Sequence, residues 1–291
     1  MLKKLNLAAV PYLNALPLYE GLEEFLPQAH LIFQSPHQVS QSLRSGRADV
    51  GLVPIISLLD PGMHDFVALP DLRIACRGEV LSVYVASKIP LEKITQVYLD
   101  PESRSSAALL HILAAQVFPQ KIRFLSTVPG YEKEIKGNRA GLIIGDRALS
   151  LREVYPYRLD LGQAWEHYTN YPFTFALWAI RRNRLSDSIV EGIRQAAKLG
   201  QRRLHEIASL WTRSYDDPNV SFAQANRYLQ EHIHYQIGPE EHAGIKRFLH
   251  LAVAHNMINP QREIAYYDTS SHYRSGIGGK EFRRPTSANT L

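Results

Sequence analysis

The stretch "FVALPDLRIACRGEVLSVYVASK", residues 66–88, decides the fold. Two long β-rich runs meet at Gly78, a residue suited to a turn. The second run, Gly78–Lys88, reads as a crossing from one α/β unit to another, and "FTFALWAI" (Phe173–Ile180) reads as the crossing back.

Before the first crossing the chain alternates strand and helix. "LNLAAV" (5–10) is a buried strand and "ALPLYEGLEEF" (15–25) a helical turn. "AHLIFQS" (29–35) is a strand. "SPHQVSQSLRSGRAD" (35–49) carries Val39 and Leu43 at helical spacing, with Gly46 as its stop. "ADVGLVPI" (48–55) is a strand again. This rhythm predicts a mostly parallel sheet with helices on its faces. It restarts beyond the crossing with "TQVYLD" (strand), "SRSSAALLHILAAQVF" (helix), "KIRFL" (strand), "GYEKEIKGN" (short helix) and "AGLIIGD" (strand). From Asp187 helices dominate, with Ile189, Ile193, Ala196, Ala197, Leu204, Ile207 and Trp211 on one stripe. The expected division is 1–85 for lobe 1, 86–175 for lobe 2, 176–260 for a helical return to lobe 1, and 261–291 for a tail. The polar, Gly-rich stretch 270–291 is expected to be disordered.

Composition narrows the function. The 291 residues are 45% apolar and 21% charged, ordinary for a globular chain. The net charge is +5, and eight Lys/Arg against three acids fall in Arg181–Arg213. That balance suits an anionic ligand or a solvated basic helix. No nucleic-acid-binding module accompanies it, so no nucleic-acid partner is expected. The single cysteine, Cys76, excludes a disulfide within the chain and favours a reducing compartment. The N-terminal "MLKKLNLAAVPYL" is too short and interrupted for a signal peptide, and no stretch of 18 apolar residues exists. A cytoplasmic location and no membrane partner are therefore expected.

Ligands of such sheets bind beyond the carboxyl ends of strands. That rule selects Tyr12–Asn14, Pro54, Ser103–Ser106 and Gly145–Asp146. Pro11 and Pro17 bracket the first group and forbid one helix or strand across it, so a turn there points Asn14 into a cleft. Asn14 also suits a helix cap; its amide offers both donor and acceptor. Ser103, Ser105 and Ser106 open a helix, where a cap and an anion site coincide. Ser82 lies on the first crossing. Asp146 is expected to cap the short helix "RALSL" rather than react, and Arg104 faces solvent or substrate. "HEIAS" at His205 lacks the second histidine of a zinc motif, His232 and His234 do not share a helix face, and "GIGGKE" lacks phosphate-loop spacing. No metal site is expected.

Six stretches carry a resemblance: "VPYLNALPL" (10–18), "GRADVGLVP" (46–54), "GEVLSVYVASKIPLE" (78–92), "LDPESRSSAALL" (99–110), "AGLIIGDRAL" (140–149) and "DLGQAWEHYTNYPFTFALW" (160–178). In this order they resemble the menaquinone biosynthesis family of the futalosine pathway, densely over 5–181 and more loosely to about 259. The resemblance implies a two-lobed type II periplasmic-binding-protein fold with two β crossovers, working in the cytoplasm. It implies action on chorismate, releasing water to give 3-[(1-carboxyvinyl)oxy]benzoate. It implies Asn14 as catalytic residue and Tyr12, Ser82, Ser103, Ser105, Ser106, Gly145 and Asp146 around the substrate. The sister branch that makes dihydroxynaphthoate typically carries a histidine where this chain has Gly145–Asp146. The family's Ser-Arg-Thr-Ser reads "SRSS" here, its Thr-Gly-Leu-Pro-Phe reads "TNYPF" (169–173), and the acid and tyrosine that often follow Pro54 are replaced by "IISLLD".

The implied chemistry requires no cofactor. Losing water across carbons 3 and 4 of chorismate makes a benzene ring, a downhill step. It needs a base for the carbon-3 proton, yet the cleft segments hold no histidine. The substrate's own enolpyruvyl carboxylate is expected to take that proton, with Asn14 positioning it and a serine assisting the departing oxygen.

Overall fold

The computed structural model describes residues 4–236 and 238–267. The expected disorder of 270–291 lies outside the described residues.

The first part of the chain runs β1 (Leu5–Ala9), α1 (Leu22–Phe25), β2 (Ala29–Phe33), α2 (Pro36–Arg44), β3 (Val50–Pro54) and β4 (Phe66–Cys76). It continues through β5 (Val83–Ser87), β6 (Gln96–Tyr98), α3 (Arg104–Val117), β7 (Arg123–Leu125), β8 (Arg139–Ile144), α4 (Asp146–Leu151), β9 (Tyr157–Asp160) and α5 (Leu161–Thr169). It ends with β10 (Phe173–Arg181), α6 (Asp187–Arg202), α7 (Leu204–Tyr215), α8 (Phe222–Arg227) and α9 (Pro239–Ala254). A 3-10 turn, Ile55–Leu59, follows β3, and a π-helical turn, Tyr228–His232, follows α8.

Two five-stranded sheets result, in the orders β2-β1-β3-β10-β4 and β7-β6-β8-β5-β9. The two-lobed α/β expectation holds. Neighbours β1–β2, β1–β3, β6–β7 and β6–β8 are parallel. Only β10 and β5 run against their neighbours. They are the two strands that arrive from the other sheet, so the mixed character of each sheet comes from the crossings.

The crossings are shorter than the sequence suggests. β5 pairs with β8 and β9 from Val83 onward, and β10 pairs with β4 from Phe173 onward. The chain therefore changes sheet within 77–82 and 161–172, and the expected divisions at 85/86 and 175/176 pass through β5 and β10. The helical stripe from Asp187 is also two helices, α6 and α7, parted at Arg203. Ile193, Ala196, Ala197, Ile207 and Trp211 keep one buried face across the break.

One carboxylate joins the crossings. Asp160 caps α5, accepting from the N–H groups of Gly162 (2.9 Å) and Gln163 (3.1 Å). The same group accepts from Val80 (3.1 Å) and Leu81 (2.8 Å) of the other crossing. Gly162 fits because a Cβ there would stand 2.6 Å from both Cys76 Sγ and Gly78 O. Trp165 of α5 packs edge-on against Phe173 of β10 and Phe248 of α9, closing the core behind this joint. On the far side, Ala68 of β4 exchanges backbone hydrogen bonds with Ala265 (2.8 Å) and Tyr267 (2.9 Å), which covers an otherwise open sheet edge.

Removing the Asp160 carboxylate strands four backbone donors at a buried joint. Asp160→Ala should cost about 3 kcal/mol or more in urea unfolding; a loss below about 1 kcal/mol would show that the crossings hold without it.

Candidate active site

The two sheets close on a narrow cleft between their strand ends. Its walls are Val10, Tyr12, Asn14, Pro54, Ile74 and Phe175 from one side, with Ser82, Ser103, Ser105, Ser106, Ile144 and Gly145 facing them. The free space is about 70 Å³, well under the ~300–1,000 Å³ of an ordinary small-molecule pocket. The lobes must part to admit a ring compound. A roomier cavity of about 490 Å³, beside Met63, Phe66 and Arg262, shares no lining residue with the cleft.

Asn14 lies within the proline-bracketed turn and is nearly buried, at 9% exposure. Its Nδ2 donates to the Tyr228 hydroxyl (2.9 Å), which donates to Ser82 Oγ (2.7 Å). Asn14 Oδ1 is buried and has no partner. Ser82 reaches this place through a strained turn. Its N–H closes on Val80 O (2.7 Å), and Leu81 between them has φ +62°. This is the pattern of a γ-turn, an uncommon conformation for leucine that costs of order 1–3 kcal/mol. The Asp160 carboxylate holds the N–H groups of Val80 and of Leu81 itself.

Gly145 stands opposite, where β8 turns into α4. Its φ of +69° and ψ of −155° belong to a region open almost only to glycine. The face of the Tyr12 ring lies 3.0–3.2 Å from where a Cβ would be. The Tyr12 hydroxyl donates to Glu102 Oε2 (3.1 Å). Burial first, then the Glu102 charge, push its phenol pKa upward, so it stays protonated.

Residues 5–254 match the menaquinone biosynthesis family. The chain belongs to that family. It is 32% identical over 222 residues to a chorismate dehydratase of Thermus thermophilus, covering 68% of this chain and 78% of that one. Among solved structures it resembles the alkanesulfonate-binding protein of Xanthomonas axonopodis (TM-score 0.63, 15% identity, 88% of this chain and 94% of that one). It also resembles the periplasmic aliphatic sulphonate binding protein of Escherichia coli (TM-score 0.61, 14% identity, 90% and 95%). These likenesses show the periplasmic-binding-protein fold.

For this member of the menaquinone biosynthesis family, the structure brings seven of the eight expected residues to the cleft wall: Tyr12, Asn14, Ser82, Ser103, Ser105, Ser106 and Gly145. Ser103 is the cap of α3, accepting from Ser106 N–H (3.3 Å) and donating to Ser106 Oγ (2.7 Å). Ser105 Oγ accepts from Ile56 N–H of the other lobe (3.4 Å). Arg104 turns away from the cleft and pairs with Asp60 across the lobes.

Asp146 is the exception. It is the first residue of α4 and does not cap it; Gly145 holds the cap position. Both carboxylate oxygens instead accept the Leu13 N–H (2.9 and 3.2 Å), across the lobes. The amide next to Asn14 is thus held from the opposite side. Nothing in the sequence singles out Tyr228. It sits in "SFAQANRYLQEHI", where nothing but helical spacing marks it. The π-helical turn it begins is a local signal of function, since such turns cluster at functional sites, but spacing alone does not reveal it. Among the described residues no group of three or more His, Cys, Asp or Glu is placed to hold a metal ion, and no helix is long and apolar enough to cross a membrane.

Two outcomes test this geometry. Gly145→Ala must strain the backbone and push the Tyr12 ring aside, so any activity of the cleft should fall at least about tenfold with the fold retained by circular dichroism; normal activity would mean the turn relaxes freely. Asp146 gives a pH signature. Burial pushes its carboxyl up to about 7, against the pull of the Leu13 and Trp211 N–H groups. The ordinary value is ~3.9, so the folded chain holds this proton more tightly than the unfolded one. Its stabilising contribution is complete below pH ~4 and is lost as pH rises through about 7. The melting temperature of Asp146→Asn should gain on that of the parent between pH 5 and 8; a constant difference would exclude the effect.

Proposed function

We propose that the cleft dehydrates chorismate to 3-[(1-carboxyvinyl)oxy]benzoate, in the cytoplasm, as a carbon–oxygen lyase of menaquinone biosynthesis. The observation that carries this reading is the family match over 5–254, which contains every residue of the cleft wall and Tyr228. The chemistry of the wall agrees with it. Fixed polar groups in a closed, water-poor space can orient one hydroxylated ring and exclude competing reactions.

Chorismate brings two carboxylates. Among the described residues that line the cleft, none is Lys or Arg. The α3 N-terminus supplies the positive end of a helix dipole at Ser103–Ser106, which suits one carboxylate. The enolpyruvyl carboxylate takes the carbon-3 proton. The electron pair of that C–H bond forms the new ring double bond as the C4–O bond breaks. The acid so formed returns its proton to the departing oxygen, and water leaves. Asn14 and Ser82 hold the reacting part of the ring. Asp146 does not line the cleft, and its oxygens are engaged by Leu13 N–H, so it has no part as base.

Incubation of the protein with chorismate, followed by mass spectrometry, should show the benzoate product without added metal or cofactor. Asn14→Ala should lower turnover by roughly 10²–10³ with the fold unchanged. An unaltered chorismate pool would sink the reading, and a fully active Asn14→Ala protein would remove Asn14 from it. An analogue amidated at the enolpyruvyl carboxylate should bind without losing water; its normal turnover would put the base on the protein.

A further inference from the structure

We infer that Tyr228 is a positioning residue that sets which hydrogen-bonding atoms Asn14 and Ser82 present to the substrate. This inference rests on the chorismate reading above. Tyr228 is 1% exposed and does not line the cleft, so it acts only through its two partners.

The order of protons along Asn14–Tyr228–Ser82 follows from the groups. A phenol is more acidic than an aliphatic hydroxyl and is the better donor of the two. Its proton goes to Ser82 Oγ at 2.7 Å, and its oxygen accepts from Asn14 Nδ2 at 2.9 Å. Burial raises the phenol's pKa, while its bonds to Ser82 and Asn14 oppose the rise. The proton therefore stays on Tyr228 at neutral pH.

Two consequences reach the cleft. Having spent Nδ2 on Tyr228, Asn14 keeps its orphaned Oδ1 as an acceptor. Having received a proton bond, Ser82 keeps its own O–H as a donor. Asn14 Nδ2 and Ser82 Oγ both bond the one phenolic oxygen, and Oδ1 belongs to the same planar amide as Nδ2, so Oδ1 and the Ser82 hydroxyl address one small region. An acceptor beside a donor is the complement of a single hydroxyl group. The substrate hydroxyl donates to Asn14 Oδ1 while its oxygen accepts from Ser82, which favours departure of that oxygen. The carboxylates belong elsewhere, since Oδ1 repels them. This assigns Asn14 to the leaving hydroxyl rather than to the enolpyruvyl carboxylate.

Without the Tyr228 hydroxyl the Asn14 amide can rotate and Ser82 can turn its proton away. Tyr228→Phe keeps the ring and its packing. Its kcat on chorismate should fall ~10–100-fold, with KM within about threefold and the melting temperature within a few degrees. The Asn14→Ala, Tyr228→Phe double variant should be within about threefold of Asn14→Ala, because the tyrosine works through the amide. A Tyr228→Phe enzyme with normal kcat, or losses that multiply in the double variant, would overturn the assignment. Nitrogen-15 NMR of the Asn14 side-chain amide tests it apart from turnover. Tyr228→Phe should move that resonance and quicken its solvent exchange, and an unmoved resonance would also overturn the assignment. A parent enzyme that leaves chorismate untouched would count against the functional reading alone. Should Tyr228→Phe fail to fold, Asn14→Ala and Ser82→Ala replace it: a double variant about as slow as the slower single one is expected, and multiplying losses would overturn the relay.

Discussion

The Asp160 carboxylate is the constraint on which the two-lobed arrangement turns. A chain that crosses twice between sheets needs both crossings fixed at one place, or the lobes have no common hinge. Asp160 ends β9 and caps α5, which opens the second crossing, and it also binds two amides of the first. A single buried carboxyl group satisfies four donors that no sheet or helix ladder could reach. The same bonds hold Leu81 in its unfavourable turn, and Ser82 is the next residue. Strain at the hinge is thus converted into the placement of a cleft hydroxyl.

Closure across the cleft is polar where the lobe interiors are apolar. Leu13 N–H meets Asp146, Tyr12 meets Glu102, Ile56 N–H meets Ser105, and Arg104 meets Asp60. A hydrogen bond exchanged with water nets only ~0.5–1.5 kcal/mol. Four such contacts therefore contribute only a few kcal/mol between the lobes. The cores behind them bury Trp165, Trp178 and Phe173 fully. Two of the four contacts use backbone amides, which sit at fixed positions in their turns and lose no side-chain freedom on closing.

Much of this was legible in the chain. The apolar runs of β1, β3 and β8 announce buried strands, and residues just past their ends reach the cleft because a parallel sheet puts its loops there. Gly145 and Asn14 are found by that rule. The sequence does not announce β9 and α5, although Asp160 has the makings of a cap, because the four residues of β9 are too few to show a period. The misplaced crossings have the same origin: a β-rich run shows that a strand exists and not which sheet it joins. Asp146 departs from its expected place for another reason. An acid at a helix start is ordinarily a cap, and only the fold reveals that Leu13 N–H lies within its reach. Tyr228, 214 residues from Asn14 along the chain, illustrates the limit. Its meaning lies in two partners brought to it by the return of the helical segment, and no local pattern encodes them.

The absence of a lysine or arginine among the described cleft residues bears on the reaction itself. A dianionic substrate would bind more tightly to a cationic side chain. A cation beside the enolpyruvyl carboxylate would also lower its pKa, by one to three units for a close pair, and weaken it as a base. In the reading proposed above, helix dipole and hydroxyl groups hold carboxylates with less charge, so more of the basicity survives. The nearest guanidinium on the α3 terminus, Arg104, is committed to Asp60, itself also near Arg44 (3.7 Å). Desolvation in a closed cleft acts in the same direction, raising the carboxylate's appetite for a proton. In a site where the substrate supplies the base, weak electrostatic binding and strong proton abstraction follow from one choice of wall residues.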